Sequence, residues 1–238
     1  MMKSNICCVL TLLCLSATGQ SLSDTSFVKI ASQNTARIYH DFISVHSGLI
    51  NGSEYAEPRY NEDQFPFYQQ VDWLPGEVTY NNEHYSEVSL MYDLSTDNLV
   101  AENPVNGQEI QLVKSRVASF SLNDDQFIQV RRQDLAGLPQ EGFYQVLYDG
   151  KSTVLVRHVK AFEEKIENNQ VVFYYVDKKR IYVRTGDSYV RVAKKGDILK
   201  MFGDNKDEVR GYMRKNRIKV SRRDPRSFST LVAYYDTL

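Results

Sequence analysis

From residue 73 to residue 193 the chain keeps reversing. Short stretches in which apolar and polar residues alternate are separated by residues that favour tight turns, and no helical stretch stands between them. Alternation with a period of two buries one face of a strand. Parallel neighbours need a crossover of about a dozen residues or more, so strands joined by local turns must lie antiparallel. The pattern therefore predicts a mainly β protein, an antiparallel meander that curls into a sandwich or an open barrel.

The strands can be placed. Glu77-Val78-Thr79-Tyr80 alternates, Asn81-Asn82-Glu83-His84 turns, and 85–92 is the next strand. Residues 93–98 break it and Leu99-Val100-Ala101 resumes. Asn103-Pro104-Val105-Asn106-Gly107 is a turn, because Asn-Gly tolerates positive φ. Strands are expected at 109–113, 117–122 and 127–130, then at 142–148 and 153–159 around Asp149-Gly150. A further ribbon is expected from 170–176, 180–184 and 189–193, and the charged stretch 162–168 as an exposed strand extension or loop. The sixteen tyrosines suit such a surface, since the ring packs while the hydroxyl reaches water.

Residues 194–238 read as a small helical segment. A short helix at 197–202 stops at Gly203, and Asp204 is placed to cap a second, with Asp207 and Glu208 early and Arg214 and Lys215 late, as the helix dipole favours. Asp224-Pro225 opens a third. Phe228, Leu231, Val232 and Tyr235 repeat at i, i+3, i+4, i+7, an apolar stripe that must pack on something. Before the β body, residues 20–72 form an N-terminal region that is partly irregular. It has helical spacing within 27–45 (Ile38, Phe42, Val45) and breakers at Asn51-Gly52, Pro58 and Pro66.

Residues 1–19 read as a signal peptide. Lys3 supplies a positive charge, 6–17 an apolar run, and Ala17-Thr18-Gly19 small residues where a signal peptidase cuts. The run is shorter than the ~20 residues of a spanning helix. Cys14 follows Leu13, too bulky for a lipoprotein site. All three cysteines (Cys7, Cys8, Cys14) fall in this leader, so the mature chain is cysteine-free and burial alone must hold it together. The expectation is an exported protein with no transmembrane segment in its mature chain, in the periplasm, associated with the outer membrane, or extracellular.

Charge is uneven: residues 20–150 carry a net −12, 151–193 a net +4 and 194–238 a net +6. The basic end either docks on the acidic body of the same chain or meets an anionic surface. Export makes nucleic acid an unexpected partner.

No catalytic motif stands out. His40, His46, His84 and His158 share no metal-ligand spacing and read as surface or turn residues. No serine sits in a nucleophile elbow. Asp93, Asp97 and Glu102 lie near one turn and Asp124-Asp125 in another, without EF-hand register, and read as solvated turns. Two carboxylates gathered by the fold can serve a glycosidase. No catalytic, cofactor-binding or metal-binding residue is assigned from sequence, and no cofactor is implied.

The order of Leu49-Ile50-Asn51-Gly52-Ser53-Glu54-Tyr55, Pro66-Phe67, Trp73, Gly76-Glu77-Val78-Thr79-Tyr80 and Val88-Ser89-Leu90-Met91-Tyr92-Asp93 resembles a family of uncharacterised exported proteins of Gram-negative bacteria. The resemblance runs on through Gly142-Phe143-Tyr144-Gln145-Val146-Leu147-Tyr148-Asp149-Gly150 and closes with Val232-Ala233-Tyr234-Tyr235-Asp236. It implies an envelope or secreted protein, makes the sequon Asn51-Gly52-Ser53 irrelevant, and carries over no activity. Two functions are expected to compete. One is a non-enzymatic binding or scaffolding protein of the cell envelope, its partner an envelope protein or glycan. The other is a carboxylate-dependent hydrolase acting on glycan or peptide.

Overall fold

Asn81 and Asn82 take φ of 53° and 66°, and the chain reverses on those two residues alone. Two positive-φ residues make the tight turn whose twist matches flanking strands. Strand β2 (Leu74–Tyr80) therefore runs straight into β3 (Glu83–Asp93), two residues earlier than the sequence suggests. The computed structural model describes residues 47–60, 64–167 and 169–238. The leader, His40, His46 and the helical spacing within 27–45 lie outside the described residues, as does Asn168 in the charged stretch.

The other strands are β1 (Ser53–Glu54), β4 (Asn98–Glu102), β5 (Glu109–Gln111), β6 (Val117–Leu122), β7 (Asp125–Val130), β8 (Gly142–Asp149), β9 (Thr153–Glu167), β10 (Gln170–Arg184) and β11 (Tyr189–Val192). They form one open antiparallel sheet in the order β1-β5-β4-β3-β2-β6-β7-β8-β9-β10-β11. Strands β2 to β5 step outward on one side. The chain then returns through a short 3₁₀ turn, Lys114–Arg116, and β6 pairs with the other edge of β2. From there each strand pairs with the next.

The sheet is one curled layer rather than two stacked sheets. Four strands separate β3 from β9, roughly 24 Å in a flat sheet. Yet the Lys160 amide donates to the Leu94 carbonyl at 3.2 Å, and the Arg157 guanidinium lies 3.2 Å from Asp97. The turn after β3 thus enters where β8 and β9 part. Close strand approach needs Gly76, where a Cβ would collide with the Ser121 carbonyl. The interior is aromatic: Phe120 stacks on Phe127 at 4.7 Å, and Tyr92 meets Phe120, Phe127 and Phe143 edge-on. Such pairs contribute about 0.5–1.5 kcal/mol each beyond area burial.

Two carboxylates hold the curl. Asp93 is fully buried and accepts from Tyr55 Oη, from the amides of Ser95 and Thr96 and from both of their hydroxyls. Asp97 accepts from Tyr92 Oη at 2.6 Å and faces Lys114 Nζ at 3.0 Å. The expectation of solvated turn carboxylates is corrected here: curling carries this turn into the protein, where hydrogen bonds replace water. Glu102 stays half-buried at the end of β4, and Asp124 is exposed.

Helices α1 (Lys195–Met201), α2 (Lys206–Lys215) and α3 (Arg226–Tyr235) cover Val154, Val156, Ile181 and Val183 on β9 and β10. Phe228, Leu231 and Val232 are wholly buried there, and Tyr235 stacks on Phe202 at 4.6 Å. The caps differ from expectation. Helix α1 starts before Asp197 because the Asp197 carboxylate accepts from the amides of Ala193 and Lys194. Asp204 lies within a 3₁₀ turn and does not cap α2. At α3 it is the Asp224 carbonyl, not its carboxylate, that receives the Ser227 hydroxyl. The end of α3 is pinned by Asp236, which accepts from the Ser152 amide and hydroxyl and from Tyr148 Oη. No described helix is long and apolar enough to cross a membrane.

Beyond Lys160 and before Lys178 the strands β9 and β10 pair chiefly with each other, because β8 leaves at Val156 and β11 joins only from Ile181. The charged stretch is therefore a strand extension as far as Glu167, part of a two-stranded ribbon.

Candidate functional site

Alternation along β9 carries Val154 and Val156 under the helices and then sets His158 and Lys160 on the same face, past the end of the helical layer. Directly across on β10 stand Lys179 and Asp177. A cavity of about 470 Å³ opens over these residues. Gln145 and Leu147 of β8, Asp125 at the start of β7, Leu94, the segment carrying Phe65, Tyr68 and Gln69, and Pro225-Arg226 at the start of α3 complete its walls. A second cavity of about 460 Å³ shares Asp177 and Lys179 with the first and adds Arg222 and Arg223.

The floor is a hydrogen-bonded chain. Tyr68 Oη and Gln69 Nε2 donate to Asp125 Oδ2 at 2.8 and 2.9 Å. Gln145 Nε2 donates to Asp125 Oδ1 at 2.7 Å, and Gln145 Oε1 lies 2.7 Å from His158 Nε2. A carboxylate needs a donor, so the Gln145 amide nitrogen must face Asp125 and its oxygen must face the histidine. That oxygen only accepts, so His158 carries its proton on Nε2 and keeps a lone pair on Nδ1. No described residue hydrogen-bonds to Nδ1. Burial pushes the imidazole down to about 3, and the Lys179 ammonium adds to the effect, so the ring is neutral at ordinary pH.

The cations differ in how far they are committed. Lys160 Nζ donates to the Phe65 carbonyl at 2.7 Å and sits 3.8 Å from the Phe65 ring centre. Burial lowers its affinity for a proton, and Asp177 works in the opposite sense. Arg226 lies 3.6 Å from Asp125. Lys179, Arg222 and Arg223 are exposed and make no ion pair with another described residue.

The arrangement corrects the sequence reading of His158 as a surface or turn residue: it is 6% exposed. Alternation continuing from Val154 and Val156 is the signal that could have found it. His84 is exposed beside Glu77 at 3.6 Å, as expected of a residue near a turn. Asp125, expected in a solvated turn, instead organises the floor through three hydrogen bonds. No serine, threonine or cysteine lines the cavity over His158. Of its other nucleophilic side chains, Tyr68 donates a hydrogen bond to Asp125 and Lys160 donates to a carbonyl, while Lys179 is exposed. Among the described residues no group of three or more histidines, cysteines and carboxylates is placed to hold a metal ion.

The basic end meets the acidic body only in part: Arg226 pairs with Asp125, while Arg222 and Arg223 face the cavity shared with Lys179. Comparison with family models, curated proteins and solved structures finds no match.

Proposed function

We propose that the chain is an exported, non-enzymatic binding protein of the cell envelope, and that its ligand occupies the cavity above His158. One observation carries the reading. The polar groups on the cavity floor hold one another through Tyr68, Asp125, Gln145 and His158, so they form a rigid surface to bind against. Preorganised donors and acceptors limit the ordering cost of binding. A hydrolase would need one carboxylate free to move a proton and another to activate water or attack. Of the three carboxylates lining the cavity, Asp125 already receives three donors, and Asp177 and Asp224 are exposed to water rather than held in an apolar pocket that would keep one protonated.

Two measurements test the reading. N-terminal sequencing of the protein secreted from a Gram-negative host is expected to begin at Gln20; a chain retained whole in the cytoplasm would refute export. Small molecules retained from envelope extract by the wild type, identified by mass spectrometry, are expected to be lost in Leu147→Trp, which pushes a bulky ring into the cavity from its wall. Equal retention by both proteins would move binding elsewhere.

A further inference from the structure

We infer that the paired cavities bind an acidic carbohydrate, its carboxylate or sulfate lying between Lys179, Arg222 and Arg223 and one ring hydroxyl donating to Nδ1 of His158. This rests on the binding function proposed above and names the ligand class.

Three features lead to it. First, the second cavity gathers three exposed cations, Lys179, Arg222 and Arg223, against one carboxylate, Asp177. None of the three makes an ion pair with a described carboxylate, so the cavity keeps an excess of two positive charges over Asp177, while Asp125 in the adjoining cavity already accepts three hydrogen bonds. Arginines in this state match the planar geometry of carboxylate and sulfate oxygens.

Second, the floor offers an acceptor. His158 is 94% removed from solvent, its Nε2 is used, and no described residue hydrogen-bonds to its Nδ1. A neutral imidazole nitrogen asks for a donor that a bare anion does not have, and a hydroxyl supplies one. The site thus requires an anion and a hydroxyl on one molecule.

Third, the ligand is extended. Two adjoining cavities of about 470 and 460 Å³ hold more than one sugar ring. Strand alternation then places Phe162 and Phe173 on the face that carries His158 and Lys160. Their rings stack at 5.4 Å and stay 48% and 44% exposed. Exposed aromatic faces offer apolar area to the C–H face of a sugar.

The test is calorimetric titration of the full mature chain with defined probes. Tetragalacturonate and chondroitin sulfate tetrasaccharide supply both groups. Methyl-esterified tetragalacturonate keeps the hydroxyls and removes the charge. Tetraglutamate keeps the carboxylates and removes the hydroxyls, and inorganic sulfate is the anion alone. At least one acidic tetrasaccharide is expected to bind, with the methyl ester, tetraglutamate and sulfate each weaker by about tenfold or more. The surface variant Arg222→Ala/Arg223→Ala is expected to lose about tenfold toward the acidic sugar and little toward the ester. A methyl ester or tetraglutamate that binds as tightly overturns the ligand class, as does an arginine variant with unchanged affinity. If neither acidic tetrasaccharide binds at millimolar concentration while Leu147→Trp still loses a molecule retained by the wild type, the acidic carbohydrate is wrong and the binding function stands. If Leu147→Trp also changes nothing, both fall.

Discussion

Gln145 Oε1 and His158 Nε2 lie 2.7 Å apart on neighbouring strands, and that contact sets the tautomer of a buried imidazole. Both ends of the Gln145 amide are used, one on Asp125 and one on His158. Gln145→Leu keeps the volume and removes both bonds. It strands the His158 N–H and takes one donor from Asp125. Leaving buried polar groups unsatisfied costs about 1–3 kcal/mol, so urea denaturation is expected to show a loss of that size. A variant as stable as the wild type would mean that water replaces the amide.

Stability should fall in mild acid, in part through His158. Its folded value of about 3 lies below the ordinary 6.5 because of burial first and Lys179 second. As pH drops below about 6.5 the unfolded chain takes up this proton and the folded one does not. The contribution is therefore present above pH ~6.5 and is lost progressively toward pH 3, by at most about 1.4 kcal/mol per pH unit. His158→Gln is expected to flatten the dependence between pH 6.5 and 4 relative to the wild type. Parallel curves for the two proteins would assign the acid sensitivity to other groups.

Asp97 draws together parts of the chain remote in sequence. It faces Arg157 at 3.2 Å and Lys114 at 3.0 Å, and it accepts the Tyr92 hydroxyl. The Arg157 side chain is only 5% exposed, so removing its partner leaves a buried charge uncompensated. Such losses run to about 3–5 kcal/mol. Asp97→Ala is expected to lower the melting temperature sharply and to expose the seam between β8 and β9 to hydrogen exchange. Exchange that stayed at wild-type rates along residues 142–146 would show that the aromatic interior alone holds the curl.

The apolar stripe of α3 is core. Leu231 is wholly buried against β9 and β10, and truncating such a leucine costs about 2–5 kcal/mol. Typical domains have about 5–15 kcal/mol in all. Leu231→Ala is expected to melt several degrees lower, and deletion of residues 224–238 to give aggregated or degraded protein. A soluble deletion with the wild-type melting temperature would contradict this packing.

Local chemistry made much of the fold legible. Turn residues such as Asn81-Asn82 and Asp149-Gly150 act within a few positions of themselves, and alternation declares each strand's faces. The antiparallel meander, the three C-terminal helices and the buried stripe of α3 follow from those short-range rules. Strand order did not follow from them. That β6 returns to β2, leaving the outer edge of β5 to β1, is a choice between sheet edges remote in sequence, and no local signal encodes it. The curl decided the rest. It carried Asp93 and Asp97 inside and parted β8 from β9. It also brought His158, for which alternation with Val154 and Val156 was the one local signal, into a hydrogen-bonded chain built from four separate segments. Residues far apart in sequence become a site only when the sheet closes over them, because hydrogen bonding and desolvation act through space across distances that sequence separation does not measure.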